Sequence, residues 1–158
     1  MANTQSMCTS FMGELMTATH NFGVSPIRAA STADTFKAAL YLASATINAS
    51  TTAYTVSGEV SGAGYSAGGI VVTNATPPTA TNASATAGVA FFTPSASLVY
   101  TSVTLTTAFD AVLIYNSTQS DKAVSVHTFG SQTITAGTFT LTMPVNNTTT
   151  ALLRLATT

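Results

Sequence analysis

Ala111-Val112-Leu113-Ile114-Tyr115 is an unbroken apolar run set between Asp110 and Asn116. A continuous run of this length suits a strand buried on both faces. Toward the C-terminus, Asn116–Asp121 reads as a polar turn. Lys122–Phe129 then alternates Val124 and Val126 with Ser125 and His127. Gln132–Met143 lines one face with Phe139, Leu141 and Met143, and its Ala136-Gly137 pair predicts a division into two strands. Toward the N-terminus, Leu98–Thr107 alternates through Val103 and Leu105, and Val89–Thr93 carries Phe91-Phe92. Period two is the mark of a strand with one covered face.

Further upstream the signals are shorter. Asn74–Gly88, with Pro77-Pro78, reads as a surface loop without a regular element. Ile70–Thr73 is a short apolar strand, and Ser61–Gly69 a loop by its glycines. Ala53–Val60 contains Tyr54, Val56, Glu59 and Val60 and is broken by Gly58. Thr35–Leu42 alternates Phe36, Ala38, Leu40 and Leu42 with Lys37, Ala39 and Tyr41, although its Ala and Leu content also favours a short helix. Ala151–Ala156 closes the chain with Leu152, Leu153 and Leu155. The pattern predicts a mainly β fold: an antiparallel sandwich or barrel of about eight short strands with one N-terminal α-helix or arm.

The first twenty residues differ in period. Met7, Phe11 and Leu15 lie four apart, with Cys8, Met12 and Met16 in a second row beside them. This is helical spacing, with Asn3 or Ser6 available to cap it and Asn21, Gly23 and Pro26 to stop it. Gly13 weakens it by about 1 kcal/mol relative to Ala. Such a helix either packs on its own core or docks on a neighbour. The second placement predicts a division into an N-terminal helix and linker arm (1–32) and a single β domain (33–158). Phe11, Leu15, Met16 and Phe22 are then the partner-binding residues, because large apolar groups and adaptable methionines suit a contact surface.

Composition limits the function. The chain has 158 residues, of which 6% are charged, with net charge −1. An average soluble domain carries about 25% charged residues. Arg28, Lys37, Lys122 and Arg154 cannot form a phosphate-binding stripe or a polybasic membrane surface, so neither nucleic acid nor a membrane is an expected partner. No apolar run is long enough to span a bilayer, and Met1–Ser10 is too polar for a secretory signal. Thr and Ala fill the place of the missing charges. Low-charge faces and loop edges of this kind predict a homo-oligomer, with a trimer the first expectation.

Catalytic and metal-binding patterns are missing. The sequence holds His20, His127, five acids and the single Cys8, with no HExxH, CxxC, GxSxG or P-loop spacing. No enzyme activity, metal or cofactor is expected. Asp110 and Asp121 read as strand-end and turn acids in water. Cys8 reads as a small buried hydrophobe, and His20, near a helix C-terminus, as a group whose charged form the helix dipole favours.

Several runs carry a family resemblance. They are Asp34-Thr35-Phe36-Lys37-Ala38-Ala39-Leu40-Tyr41, Thr51-Thr52-Ala53-Tyr54, Gly58-Glu59-Val60-Ser61-Gly62-Ala63-Gly64-Tyr65 with Gly68-Gly69, Phe109–Asn116, and His127-Thr128-Phe129-Gly130. Across nearly the whole chain, this resembles small structural proteins of tailed bacteriophages, from among capsid and head–tail genes. The resemblance implies a non-enzymatic virion component, made in the host bacterial cytoplasm and carried on the capsid exterior. A cement or decoration protein that bridges major capsid protein subunits is the leading expectation. A head–tail connector or tail-side ring component is the alternative. A surface module for glycans or receptors is weaker, since Trp is absent and Tyr41, Tyr54, Tyr65, Tyr100 and Tyr115 are scattered along the chain.

Overall fold

The computed structural model of the chain describes residues 3–16, 19–20, 22, 33–74, 78–81 and 88–156. They form a mainly β fold of eight strands in two antiparallel sheets. In chain order the elements are β1 (Ser6–Met7), α1 (Thr9–Met16), β2 (Phe36–Leu42), β3 (Ile70–Val71), β4 (Thr79–Thr81), β5 (Val89–Phe92), β6 (Leu98–Asn116), β7 (Lys122–Leu141) and β8 (Leu153–Ala156). The large sheet runs β1-β7-β6-β2-β3 and the small one β4-β5-β8.

The run Ala111–Tyr115 lies at the centre of the large sheet. β2 pairs with it from Phe36↔Asn116 to Leu42↔Phe109, and β7 pairs along its other side. Ala111, Leu113 and Ala123 are fully buried, as are Ala38 to Tyr41 of β2. Both faces of this part of the sheet are covered, which is why the sequence here does not alternate. Thr35–Leu42 is therefore a strand. Ladder bonds and burial outweigh the few tenths of a kcal/mol per residue by which Ala and Leu prefer helix.

β6 and β7 are much longer than the short strands expected. Leu98–Thr107 and Ala111–Tyr115 are one strand, and so are Lys122–Phe129 and most of Gln132–Met143. The expected break at Ala136-Gly137 is a bulge. Ala136 takes φ 46° and its N–H donates to Thr104 Oγ1 at 3.0 Å, while the register shifts around Val103 on the facing strand. A bulge absorbs an extra residue by a local kink and lets pairing continue.

The glycine-rich stretch 61–69 lies tightly against the strands. Ala63 O accepts from Thr104 N at 2.8 Å. A side chain on Gly62 would meet Thr104 O, and one on Gly69 (φ 71°) would meet Ala38 O. Only glycine permits that approach with that backbone conformation. Within Asn74–Gly88, read as irregular, Thr79–Thr81 forms edge strand β4 against Val89–Phe91.

The N-terminal helix is shorter than the sequence suggests. Of the first twenty residues, α1 takes eight. The two capping candidates are used otherwise. Ser6 pairs with Val126 in the large sheet. The Asn3 amide donates to Leu42 O at 3.1 Å and to Asp110 at 2.6 Å, and its carbonyl accepts from Ile47 N at 3.1 Å. Sheet pairing before residue 8 leaves the helix to begin at Thr9. The segment thus shares a sheet with strands beyond residue 33, across the expected boundary at 32; residues 23–32 lie outside the described residues.

Phe22 joins the two sheets. Its ring stacks on Phe36 of β2 at 4.3 Å and meets Phe92 of β5 at 5.0 Å, with Phe11 edge-on at 5.9 Å. The small sheet is otherwise lightly covered: β4 is exposed throughout and β8 nearly so.

Candidate functional site

The five tyrosines, scattered in sequence, converge on one region of the large sheet. Glu59 is their centre. It is buried, and its carboxylate accepts from Tyr54 Oη at 2.7 Å, Tyr65 Oη at 2.7 Å and the Gly68 N–H at 2.8 Å. Tyr65 Oη also accepts from Leu40 N at 3.0 Å. Tyr115 donates to Gly68 O at 2.9 Å, Tyr100 to Ala38 O at 2.8 Å and Tyr41 to Thr55 O at 2.5 Å. The rings pair as well, Tyr54 on Tyr115 at 4.7 Å and Tyr65 near Tyr100 at 6.0 Å.

Burial pushes the Tyr41 and Tyr115 hydroxyls up to about 12, with negative neighbours adding to it. Burial and Glu59 raise Tyr54, Tyr65 and Tyr100 further. All five stay protonated donors near neutral pH. None of the five hydroxyls is poised to lose a proton, and together they act as a clamp. Charge-assisted bonds to Glu59 hold 54–68 together, and neutral tyrosine–backbone bonds fasten that stretch to β2 and β6.

A second polar group ties the N-terminal segment to the β6–β7 turn. His20 Nε2 lies 2.7 Å from Glu14, and Lys122 Nζ donates to the other Glu14 oxygen at 2.6 Å. Asn116 places its amide 3.1 Å from His20 Nδ1 and 2.8 Å from Asp34, which also accepts from Gln119 at 3.2 Å. The expected dipole effect on His20 is overturned. Its side chain is fully buried, and desolvation lowers its pKa against the pull of Glu14 and Asp34. Neutral His20 donates from Nε2 to Glu14 and accepts at Nδ1 from Asn116, so both ring nitrogens are engaged. Burial raises the Glu14 carboxyl, but bonds from Lys122 and His20 outweigh it and hold the group low.

Ser125 and His127 form a third contact, Oγ to Nε2 at 2.9 Å, facing a cleft of about 320 Å³ that Gln5 and Arg154 also line. Burial alone pushes the His127 pKa down to about 4. The ring is neutral at pH 7 and its contact is with a hydroxyl on its own strand. Cys8 is fully buried as expected, its thiol pushed up to about 11 by burial and by Glu14. Among the described residues, no three His, Cys, Asp or Glu side chains gather to hold a metal.

Of the four partner-binding candidates, Phe11 and Phe22 belong to the chain's own core, 2% and 8% exposed. Leu15 is half-buried against that core. Met16 ends α1, and its side chain lies outside the described residues. Of the two placements open to the helix, the structure has the internal one. A partner contact through Phe11 or Phe22 requires the segment to leave this position. Asp110 accepts from Asn3, and Asp121 sits in the β6–β7 turn with its carbonyl accepting from Tyr54 N at 2.9 Å.

Besides the lightly covered small sheet, the outer half of the β6–β7 hairpin is open among the described residues. Val99, Thr101, Ser102, Thr106 and Thr107 are exposed on β6; Gly130–Thr133, Thr135, Thr138 and Thr140 are exposed on β7. No Asp, Glu, Lys or Arg occurs from Val60 to Phe109 or from Ala123 to Leu153. That spacing of charges is visible in the sequence and marks this surface; the tyrosine convergence has no such signal. No helix among the described residues is long and apolar enough to cross a membrane. No protein-family model, curated protein or solved structure matches the chain.

Proposed function

We propose that this protein is a non-enzymatic structural component of a tailed bacteriophage particle, and that it serves as a capsid cement or decoration protein. The observation that carries the reading is the charge-free, Thr- and Ser-rich surface of the outer hairpin, on a body whose acids Glu14, Asp34, Glu59 and Asp110 accept hydrogen bonds within the chain. Such a surface can approach repeated protein subunits without stripping water from charges, which is the costly part of forming an interface.

The runs that carry the phage resemblance add support. Asp34–Tyr41, Gly58–Gly69 and Phe109–Asn116 are β2 with its approach, the tyrosine-clamped loop, and the inner half of β6. They pack on one another, as the shared scaffold of a group of related proteins would. The mechanism is stabilisation by contact: each copy adds a modest energy, and many copies bridging major capsid protein subunits act together. The protein acts on the capsid exterior after synthesis in the host cytoplasm, as a homo-oligomer.

Stoichiometry in purified particles tests this directly. A cement is present at a copy number comparable with the capsid lattice, and particles lacking it lose DNA at lower temperature. A handful of copies at one vertex instead identifies a connector or tail-side ring component. Absence from the particle ends the reading.

A further inference from the structure

We infer that the open edge of β7, from Phe129 to Leu141, is the surface through which this chain pairs with a second copy of itself. This deepens the self-association in the proposed function and rests on that part of it, but not on the phage assignment. β7 is paired with β6 from Asn116↔Lys122 to Leu98↔Leu141. On its other side the described pairing is confined to Ser6↔Val126 and Met7↔Ser125. Beyond Val126, alternate residues direct backbone N–H and C=O groups away from β6, and no described strand meets them.

The usual protections of an edge are only partly present. Between Ala123 and Leu141 there is no charged residue and no proline. Lys and Pro are the common means of keeping an open strand from pairing. What this edge has is bulges. Between Ala111↔Thr128 and Phe109↔Gln132, β7 advances by more residues than β6, and it does so again beside Ala136. These leave two runs without an extra β7 residue, Gln132–Thr135 and Gly137–Leu141, each facing a further register shift on β6. Bulges twist an edge and stop open-ended stacking. Two short runs still suffice for a closed contact between two molecules.

The edge fits its own copy. An antiparallel ladder about a two-fold axis matches identical edges, and with no charges there is no like-charge repulsion when the edge meets itself. Thirteen residues at about 3.4 Å each give an edge of roughly 44 Å, about 10 Å deep, hence near 900 Å² over both copies. That is under the ~1,000 Å² that a stable interface should exceed and well below the ~1,600 Å² of a standard one, so the pair is weak alone and gains from attachment to a lattice.

The test is sedimentation of the full chain against concentration, with two variant sets at exposed positions. One is Thr133→Lys, Thr135→Lys, Thr138→Lys and Thr140→Lys; the other places Glu at the same four. The native chain should self-associate. Each set should shift the association midpoint at least about tenfold toward higher concentration while keeping the native β circular dichroism. Mixing the two sets should restore pairing, which misfolded variants could not do. A native chain that stays monomeric up to its solubility limit overturns the inference. So does association that survives the lysine set, or a mixture that fails to recover. Presence in phage particles is read separately, so either reading can fail while the other stands.

Discussion

The inner and outer halves of the β6–β7 hairpin are made by the same two strands and live in different surroundings. In the inner half, Ala111–Asn116 and Ala123–Val126 are buried on both faces, and the polar group of Glu14, His20, Asp34 and Lys122 gathers near the turn. In the outer half, Leu98, Tyr100, Val103, Leu105 and Phe139 point to one covered face, while Thr and Ser line the other. The change from an unbroken apolar run to alternation within β6 marks where the sheet loses its second cover. Stability should therefore concentrate at the inner end, with the outer end left as surface.

The largest expected break of this contrast is at the junction of the halves. Phe109 is fully buried and meets Phe129 at 5.9 Å and Phe139 at 5.1 Å, both edge-on. Phe109→Ala should cost about 3–5 kcal/mol in denaturant unfolding, whereas Thr107→Ala, two residues away and exposed, should stay within about 0.5 kcal/mol. Next comes Glu59→Ala, which strips the acceptor from two tyrosine hydroxyls and the Gly68 N–H; the loss should be roughly 2–4 kcal/mol, with faster amide exchange in 61–69.

Acid should also separate the halves. The folded pKa of His127, about 4, lies below the ordinary 6.5, and His20 is lowered as well. The unfolded chain then binds more protons in between, so stability is complete above about pH 6.5 and falls as pH drops toward 4. His127→Gln should flatten that slope in unfolding titrations, and amide exchange at pH 5 should quicken at Ala123–Val126 before it does at Gln132–Thr135. The smallest effect is at Gly130, where an added Cβ meets nothing within 4 Å. Gly130→Ala should raise stability by about 0.4–1 kcal/mol in thermal melts. Gly69→Ala at the clamped loop should lower it instead.

Much of the strand pattern was legible because burial on one face or two writes directly into apolar spacing, as in Val112–Tyr115 and Phe139–Leu141. The continuity of β6 and β7 was not, because it depends on Ser102 and Ala136 taking φ near 50°, which neither residue type advertises. The tyrosine cluster was illegible for another reason. Its members come from β2, the connection between β2 and β3, and β6, and no period links positions brought together by tertiary pairing. His20 read wrongly because the sign of its shift depends on burial by Phe11 and Phe22 rather than on its place after a helix.

The pairing of Ser6 with Val126 constrains how the chain can be made. β1 finds its partner only after some 120 further residues have followed it, at about 5–20 residues per second a wait of roughly 6–24 s. β2 waits about two-thirds as long for Phe109–Asn116. β6 and β7, joined by a short turn, have no such delay and can form first as a local nucleus. Folding then runs backward along these elements, with β1 docking last. A nascent chain holding Phe11, Phe22 and Phe36 unsheltered for that interval is a natural client for a chaperone.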